Sequence, residues 1–213
     1  MTTDGTSVRW GDGRRADSDF AREQILDAAW RCYQQNTVQK TRMDHIAREA
    51  KVSRTTVYRY FQSRDEVLAG VVLRTLHELV DLIGKRVADT TSFAEYLVES
   101  LATAMELVPE TPVYVALLKE ATVVMSHAYI GSPEVFTVMC GQFRPHFEAA
   151  QAAGEVRAGI EFEQFMDWVI HVVAAYVMTP SPLAREVGIR SMLWRFLVPA
   201  LVCDTAIPPE RRS

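Results

Sequence analysis

The chain has few cysteines, no long apolar run and no apolar segment at its start. Its three cysteines, Cys32, Cys140 and Cys203, are widely spaced and form neither a disulfide framework nor a paired zinc-ligand pattern. No apolar stretch reaches the about 18–20 residues of a membrane span. The opening residues lack the apolar core of a signal peptide. These absences predict a protein of the reducing cytoplasm that contacts no membrane.

Catalytic motifs are also missing from the sequence. There is no G-x-S-x-G, no glycine-rich phosphate loop and no H-E-x-x-H. The histidines His127, His146 and His171 stand alone, without a second histidine or cysteine at ligand spacing. We therefore predict that the protein is not an enzyme and that it needs no cofactor or metal ion.

The charges of the chain are unevenly distributed, although the net charge is −4. Residues 14–64 hold eleven Lys and Arg against six Asp and Glu, whereas residues 65–213 hold eleven against nineteen. This asymmetry favours a basic module joined to an acidic one, with nucleic acid as a candidate partner of the basic part. A solvated surface is the alternative that charge alone leaves open.

Apolar residues recur at helical spacing along most of the chain, and no alternating strand pattern stands out. The sequence predicts an all-α fold of about nine helices, over residues 19–35, 42–50, 54–60, 64–87, 92–108, 113–128, 133–153, 162–178 and 183–202. Cap motifs support several starts, among them Thr41, Ser53 and the S-x-x-E boxes at Ser63 and Ser92. We expect a flexible arm over residues 1–17, a three-helix domain over 18–63, a helical domain over 64–203 and a loose tail over 204–213.

Residues 41–61 form the most informative stretch, because they predict two short helices joined by a tight turn. Val57 and Phe61 anchor the second helix and leave arginine, threonine and tyrosine side chains exposed. This is the composition of a helix-turn-helix whose second helix enters the major groove of DNA. Threonine can contact base edges, while arginine and tyrosine can reach phosphates.

The residues that carry a family resemblance are Ile46, Ala47, Ala50, Val52, Ser53, Thr56, Val57, Tyr58, Tyr60, Phe61, Ser63, Arg64 and Leu68. Over residues 20–71 this set closely resembles the DNA-binding domain of the TetR family of bacterial transcriptional regulators. The resemblance implies a regulator, most often a repressor, that binds a near-palindromic operator as a homodimer and is released by a small molecule. It implies that DNA is contacted by Thr41, Arg42, Arg54, Thr55, Thr56, Tyr58, Arg59, Tyr60 and Arg64.

The sequence departs from the family pattern at two positions where glycine is usual. Lys51 occupies the turn between the two short helices, and Asn36 follows the first helix. Both positions are expected to be left-handed, which asparagine tolerates better than lysine does. If Lys51 is left-handed, its side chain strains the turn.

The remaining chain is predicted to form a dimer and to bind an effector. The eighth and ninth predicted helices, over 162–178 and 183–202, are apolar on more than one face and must be covered, either by their own core or by a second copy. The predicted dimer contacts are Phe165, Val169, Val173, Val187, Ser191, Trp194, Val198 and Leu201. The predicted lining of a largely apolar effector cavity is Tyr96, Met105, Tyr114, Leu118, Met125, His127, Phe143, Phe147, Trp168, His171 and Tyr176.

Each cavity residue taken singly is better explained as ordinary core, and for His171 the ordinary explanation is a hydrogen-bonded core histidine. Two further readings of the function stay open on the sequence alone. One is a DNA-binding protein of the same fold without any effector, and the other is an activator rather than a repressor.

Overall fold

The computed structural model describes residues 12–111, Tyr114, residues 132–179 and residues 181–207. Within these ranges every regular element is helical, and the only β pairing is an isolated bridge between Val156 and Val202. The predicted all-α fold is therefore confirmed. The helix predicted over 113–128 lies outside the described residues apart from Tyr114, as do residues 1–11 and the end of the predicted tail.

The first helix, α1, spans Asp12–Gln35 and so begins earlier than the predicted start near residue 19. The predicted flexible arm of residues 1–17 is therefore wrong for residues 12–17, which belong to α1. The added residues are mainly charged, so they contribute no apolar periodicity, although arginine and alanine favour the helix. Further along, Ile25, Leu26 and Ala29 are buried and form the inner face of α1.

The two short helices predicted around the turn are present as α2, Met43–Glu49, and α3, Arg54–Tyr60. Ser53 caps α3 as predicted, because its hydroxyl oxygen accepts the backbone N–H of Thr56 at 3.0 Å. The predicted cap of α2 is wrong, since Arg42 and not Thr41 occupies the N-cap position. The helix pair packs against α1 through α2.

The long helix α4 spans Arg64–Arg86 and starts at the predicted capping box. Ser63 Oγ accepts the backbone N–H of Glu66 at 3.1 Å, and the Glu66 carboxylate accepts the N–H of Gln62 at 2.6 Å. The chain divides into two compact units, residues 1–72 and residues 73–213, and the division falls inside α4. We call them the N-terminal unit and the C-terminal unit.

The start of α4 is packed tightly within the N-terminal unit. A Cβ atom added to Gly70 would lie 2.9 Å from Leu26 Cδ2 and 3.4 Å from the Phe61 ring. The first distance is closer than a Cβ atom normally approaches another heavy atom, so glycine at this position lets α4 lie close to Leu26 of α1.

The turn between α2 and α3 contains the left-handed residue that the sequence predicts. Lys51 has φ of 57°, and the N–H of Val52 donates to the carbonyl of Ala47 at 3.0 Å, which closes the end of α2. The matching prediction for Asn36 is wrong, because Lys51 is the only non-glycine residue with positive φ in the part of the chain that the structure describes. The N–H of Asn36 instead donates to Cys32 in ordinary helical fashion, at 2.9 Å.

Replacing Lys51 by glycine is expected to stabilise the protein. A side chain in the left-handed region is strained by about 1–2 kcal/mol, part of which is offset by the greater freedom of glycine in the unfolded chain. We expect a net gain of about 1 kcal/mol in the free energy of unfolding, measured by urea denaturation. Lys51→Ala is the control, since it removes the charge but keeps the Cβ atom, and it should give no gain. An unchanged or lower stability of Lys51→Gly would contradict the strain argument.

Among its described residues the C-terminal unit contains the long helices α5 (Phe93–Leu107), α6 (Pro133–Ala152) and α7 (Phe162–Met178). The predicted box at Ser92 caps α5, with Ser92 Oγ accepting the N–H of Glu95 at 3.2 Å. α5 packs against both α6 and α7. Aromatic rings fill the space between them, and the rings of Phe147 and Phe165 stack with centroids 5.3 Å apart.

The last predicted helix, over residues 183–202, is broken into shorter pieces and is the largest error of the helix predictions. The pieces are α8 (Pro182–Val187), α9 (Ile189–Met192), a π-helical turn (Leu193–Leu197) and α10 (Val198–Leu201). Gly188 has a φ angle of 88°, and this left-handed backbone conformation interrupts the helix. Glycine adopts it without steric strain because it has no Cβ atom. The apolar spacing continues across the break, so periodicity alone does not reveal it.

Candidate nucleic-acid interface and core of the C-terminal unit

The guanidinium of Arg54, at the first position of α3, is held from two sides. Its Nη1 lies 3.2 Å from Asp44 Oδ1 on α2, and its Nη2 donates to the hydroxyl of Tyr58 at 3.3 Å. The guanidinium carbon is 5.3 Å from the centroid of the Tyr58 ring. The hydrogen bond with Tyr58 and the negative charge of Asp44 both raise the pKa of Arg54. Arg54 is thus a fixed positive charge at the exposed start of α3.

A second arginine–tyrosine pair lies at the other end of α3. Arg59 Nη2 donates to the hydroxyl of Tyr60 at 3.2 Å, and its guanidinium carbon is 4.9 Å from the ring centroid. Between the two pairs Thr55 is exposed, while Thr56 is half-buried with its hydroxyl 2.8 Å from that of Ser53. The predicted polar face of α3 is therefore present, and Thr55 offers the freer hydroxyl.

The three predicted contacts outside α3 differ in their exposure. Thr41 is fully buried and its hydroxyl donates to the carbonyl of Thr37 at 3.0 Å, so its side chain is not presented at the surface. This corrects its predicted role in phosphate binding. Arg42 is exposed at the start of α2. Arg64, at the start of α4, donates to the carbonyl of Gln39 at 3.1 Å and keeps part of its guanidinium exposed.

Asp44 was not among the predicted site residues, although it contacts one of them directly. Its carboxylate lies in the first turn of α2, where acidic residues are commonly found for their interaction with the helix dipole. Because the helix dipole alone explains an acidic residue there, the sequence does not indicate that Asp44 contacts Arg54, ten residues further along the chain. The signal that could have revealed it is the shortness of α2 and of the turn, which brings the starts of α2 and α3 together.

Three of the predicted cavity residues are tightly packed core. Tyr96 is buried, donates its hydroxyl hydrogen to the carbonyl of Gln142 at 3.1 Å and packs edge-on against Phe143 at a centroid distance of 5.5 Å. Phe147 is also buried and stacks on Phe165. These rings pack against one another, so at these positions the structure agrees with ordinary core rather than with a cavity lining.

Three other predicted cavity residues lie at the margin of this core. Met105 and Tyr114 are half-buried and pack against it, and Tyr176 donates to Met192 Sδ at 3.8 Å. The hydroxyl of Tyr114 is buried and has no hydrogen-bond partner within the residues that the structure describes. Burial raises the pKa of this hydroxyl, so it is a neutral donor and acceptor.

Two further predicted cavity residues, Trp168 and His171, do not lie in the core. Trp168 is 49% exposed and His171 is exposed, because both lie on the outer face of α7, opposite the buried face of that helix. His171 is therefore not a core histidine either, and its Nδ1 lies 2.7 Å from the carbonyl of Asp167. Leu118, Met125 and His127 lie outside the described residues.

The predicted dimer contacts on α7 point inward rather than outward. Phe165, Val169 and Val173 are buried in the core of their own unit, as is Val198. The predicted orientation of α7 is therefore wrong by about half a turn. Because α7 carries apolar residues on both faces, the sequence did not reveal which face is buried. Of the remaining contacts, Val187 and Ser191 are exposed, whereas Trp194 and Leu201 pack partly against the core.

The outer side of α7 and the broken last helix nevertheless expose large apolar side chains. We call these the exposed apolar set: Trp168, Met178, Leu183, Val187 and Phe196. Phe196 is 67% exposed and lies in the π-helical turn. Of this set only Val187 was among the predicted interface residues.

The part of the chain that the structure describes contains neither a cluster of metal-binding side chains nor a membrane-spanning helix. No group of three or more His, Cys, Asp or Glu side chains is placed to hold a metal ion there. None of its helices is long and apolar enough to span a membrane.

Comparison with known proteins links this geometry to a family. Residues 25–71 match the family model described as bacterial regulatory proteins, tetR family, and this range contains α2, the turn and α3. Over 197 residues the chain is 28% identical to an uncharacterized HTH-type transcriptional regulator of Mycobacterium tuberculosis (strain CDC 1551 / Oshkosh), with 92% of each chain covered.

Two solved structures show how far the resemblance in fold extends. RolR in complex with resorcinol matches with a TM-score of 0.70 at 13% identity, over 92% of this chain and 93% of that chain. FadR from Bacillus subtilis in complex with stearoyl-CoA matches with a TM-score of 0.55 at 16% identity, over 87% of this chain and 99% of that chain. At these identities the similarity establishes the fold alone.

Proposed function

Because the chain belongs to the TetR family of bacterial transcriptional regulators, we propose that it is a repressor that binds a near-palindromic operator as a homodimer. A small, largely apolar effector releases it from the DNA. The protein is a regulator with a helix-turn-helix DNA-binding domain and not an enzyme. The proposal concerns the operator, the dimer and the effector.

The observation that carries the proposal is the exposed face of α3 within the matched range of residues 25–71. This face holds two arginine–tyrosine pairs, Arg54 with Tyr58 and Arg59 with Tyr60, and the exposed hydroxyl of Thr55. Arginine and threonine are suited to base edges in the major groove, and the tyrosine hydroxyls are suited to phosphates. Arg42 and Arg64, at the starts of α2 and α4, provide further phosphate contacts.

The exposed apolar set supports the homodimer. Monomeric proteins rarely expose several large apolar side chains together, and such surfaces usually form interfaces. Tyr176 of α7 contacts Met192 of α9, which lies in the chain between Val187 and Phe196, so α7 lies beside the broken last helix. A second copy related by a twofold axis would cover the set and pair two α3 helices on a near-palindrome.

The margin of the core supports an effector site. Met105 and Tyr114 provide apolar surface there, and the unpartnered hydroxyl of Tyr114 provides one polar group. An apolar lining with few polar groups is typical of small-molecule sites. RolR and FadR were solved with resorcinol and stearoyl-CoA respectively, and both molecules combine an apolar part with polar groups. An effector of this kind fits the margin.

Helix α4 is the element through which the effector would act, because the division between the two units falls inside it. Arg64 at its start would contact phosphate, and its second half contributes Leu79 and Ile83 to the core of the C-terminal unit. An effector that binds better when the two α3 helices are spaced incorrectly for DNA shifts the population toward that state. Binding of effector and binding of operator then oppose each other.

The proposal is tested by selecting genomic fragments with the full-length protein and measuring their affinity at two salt concentrations. We expect selected fragments to share a near-palindrome and their affinity to fall steeply with salt, because phosphate contacts release counterions. Effector release is tested on the same fragments with resorcinol and with a long-chain acyl-CoA, following the fluorescence of half-buried Trp194. Salt-independent binding would contradict the DNA interface.

The two alternatives give different results in these measurements. A DNA-binding protein without an effector would retain its fragments in the presence of every tested small molecule. An activator would bind upstream of the promoter elements rather than over them, which the positions of the selected fragments reveal.

A further inference from the structure

Asp44 is an acidic side chain in direct contact with an arginine of α3. Its two carboxylate oxygens lie 3.2 Å and 3.5 Å from Arg54 Nη1. The Tyr58 hydroxyl meets Nη2 of the same guanidinium at 3.3 Å. Groups from α2 and from the second turn of α3 therefore fix the orientation of one arginine across the helix-turn-helix.

This arrangement is not explained by stability or by general attraction to DNA. The Asp44 and Arg54 side chains are 51% and 61% exposed, and ion pairs at such exposure add little to folding stability. A carboxylate beside a DNA-binding helix also repels phosphates and weakens sequence-independent binding. The Asp44 carboxylate must therefore influence DNA binding through the arginine that it contacts.

We propose that Asp44 is a positioning residue that makes Arg54 read one base pair of the operator. A guanidinium has five N–H donors, and the contacts with Asp44 and Tyr58 leave donors for a bidentate contact with guanine O6 and N7. Without the carboxylate the flexible arginine turns to the nearest phosphate, where it adds affinity but no selectivity. The ligand chemistry is thus a guanine edge in the major groove. This inference rests on the proposed operator binding.

The first test compares Asp44→Asn with the wild-type full-length protein on two kinds of duplex. One kind is selected by the wild-type protein from a random pool, and the other is a scrambled duplex of the same composition. We expect the ratio of the two affinities to fall about tenfold in Asp44→Asn, with guanine preference lost at one position of each half-site. Asp44→Glu keeps the carboxylate and should restore most of the ratio.

Glu49→Gln is the matched control. Glu49 lies on the same helix and forms a comparable pair with Arg31 of α1 at 2.6 Å, so its substitution removes the same charge without touching α3. It should leave the affinity ratio unchanged. Circular dichroism melting of each variant verifies that the N-terminal unit is folded.

The second test repeats Asp44→Asn in an Arg54→Ala background. If Asp44 acts through Arg54, the second substitution has no further effect on the affinity ratio. Tighter binding of Asp44→Asn to both duplexes alike, or an undiminished effect without Arg54, would overturn the positioning role. A wild-type protein that binds both duplexes equally would overturn the operator binding itself, and this inference with it.

Discussion

The double substitution Trp168→Glu and Phe196→Glu is expected to convert the proposed homodimer into a monomer of 24.0 kDa. In the isolated chain these side chains are 49% and 67% exposed, so a carboxylate at either position remains hydrated and the fold is retained. In the proposed interface the same carboxylates would be buried without partners, which is strongly unfavourable. Sedimentation velocity at micromolar concentration measures the change.

The same variant should bind its operator about 100-fold more weakly or worse, because two linked DNA-binding domains gain this much or more from effective concentration. Leu82→Glu is the control, since Leu82 is 43% exposed on α4 and does not belong to the exposed apolar set. It should sediment as the dimer and bind DNA normally. If the double variant sediments like the wild-type protein, Trp168 and Phe196 are not at the interface.

The starts of α3, α4 and α5 could be predicted from the sequence, because capping by serine depends on neighbouring residues alone. Ser53, Ser63 and Ser92 each accept the backbone N–H that their motif predicts. The left-handed turn at Lys51 could also be predicted, since two helices this close in sequence need a tight closure. Asn36 follows a helix without such a constraint, and its φ remains negative because the preceding helical hydrogen bond simply continues.

The orientation of helices that are apolar on several faces could not be predicted. On α7 both the inner residue Val169 and the outer residue Trp168 are apolar, and only the packing of α5 and α6 decides which one is buried. The break at Gly188 has the same origin, because the apolar spacing continues through it while the glycine tolerates positive φ. Tertiary contacts therefore determine which apolar side chains remain exposed.

The exposed face of α3 could be predicted better than the core of the C-terminal unit. Val57 in the short helix α3 and Phe61 directly after it are buried. They fill the space that the core offers to this helix, so the polar and aromatic side chains Arg54 and Tyr58 remain exposed, as the spacing of the apolar residues predicts. The contact between Asp44 and Arg54 joins two helices and is not contained in either pattern. An aromatic residue in the larger core, such as Phe147, fits a cavity lining and a packed core equally well in the sequence.

The arginines of the N-terminal unit are expected to fall into two classes in DNA binding. Arg54→Ala should reduce the preference for selected over scrambled DNA by about 5- to 150-fold, because it removes a base contact of about 1–3 kcal/mol. Arg64→Ala should weaken binding to both duplexes alike, since a phosphate contact carries no sequence information. Competition binding with fluorescent duplexes at several salt concentrations measures both effects.

The salt dependence separates the two classes independently of affinity. Each lost phosphate contact lowers the slope of log affinity against log salt by about 0.9, so Arg64→Ala should reduce the slope by nearly one. Arg31→Ala is the control for net charge, because Arg31 is paired with Glu49 between α1 and α2, and its slope should equal that of the wild-type protein. Equal losses of Arg54→Ala on both duplexes would mean that Arg54 contacts phosphate, so that α3 must read its bases through other side chains such as Thr55.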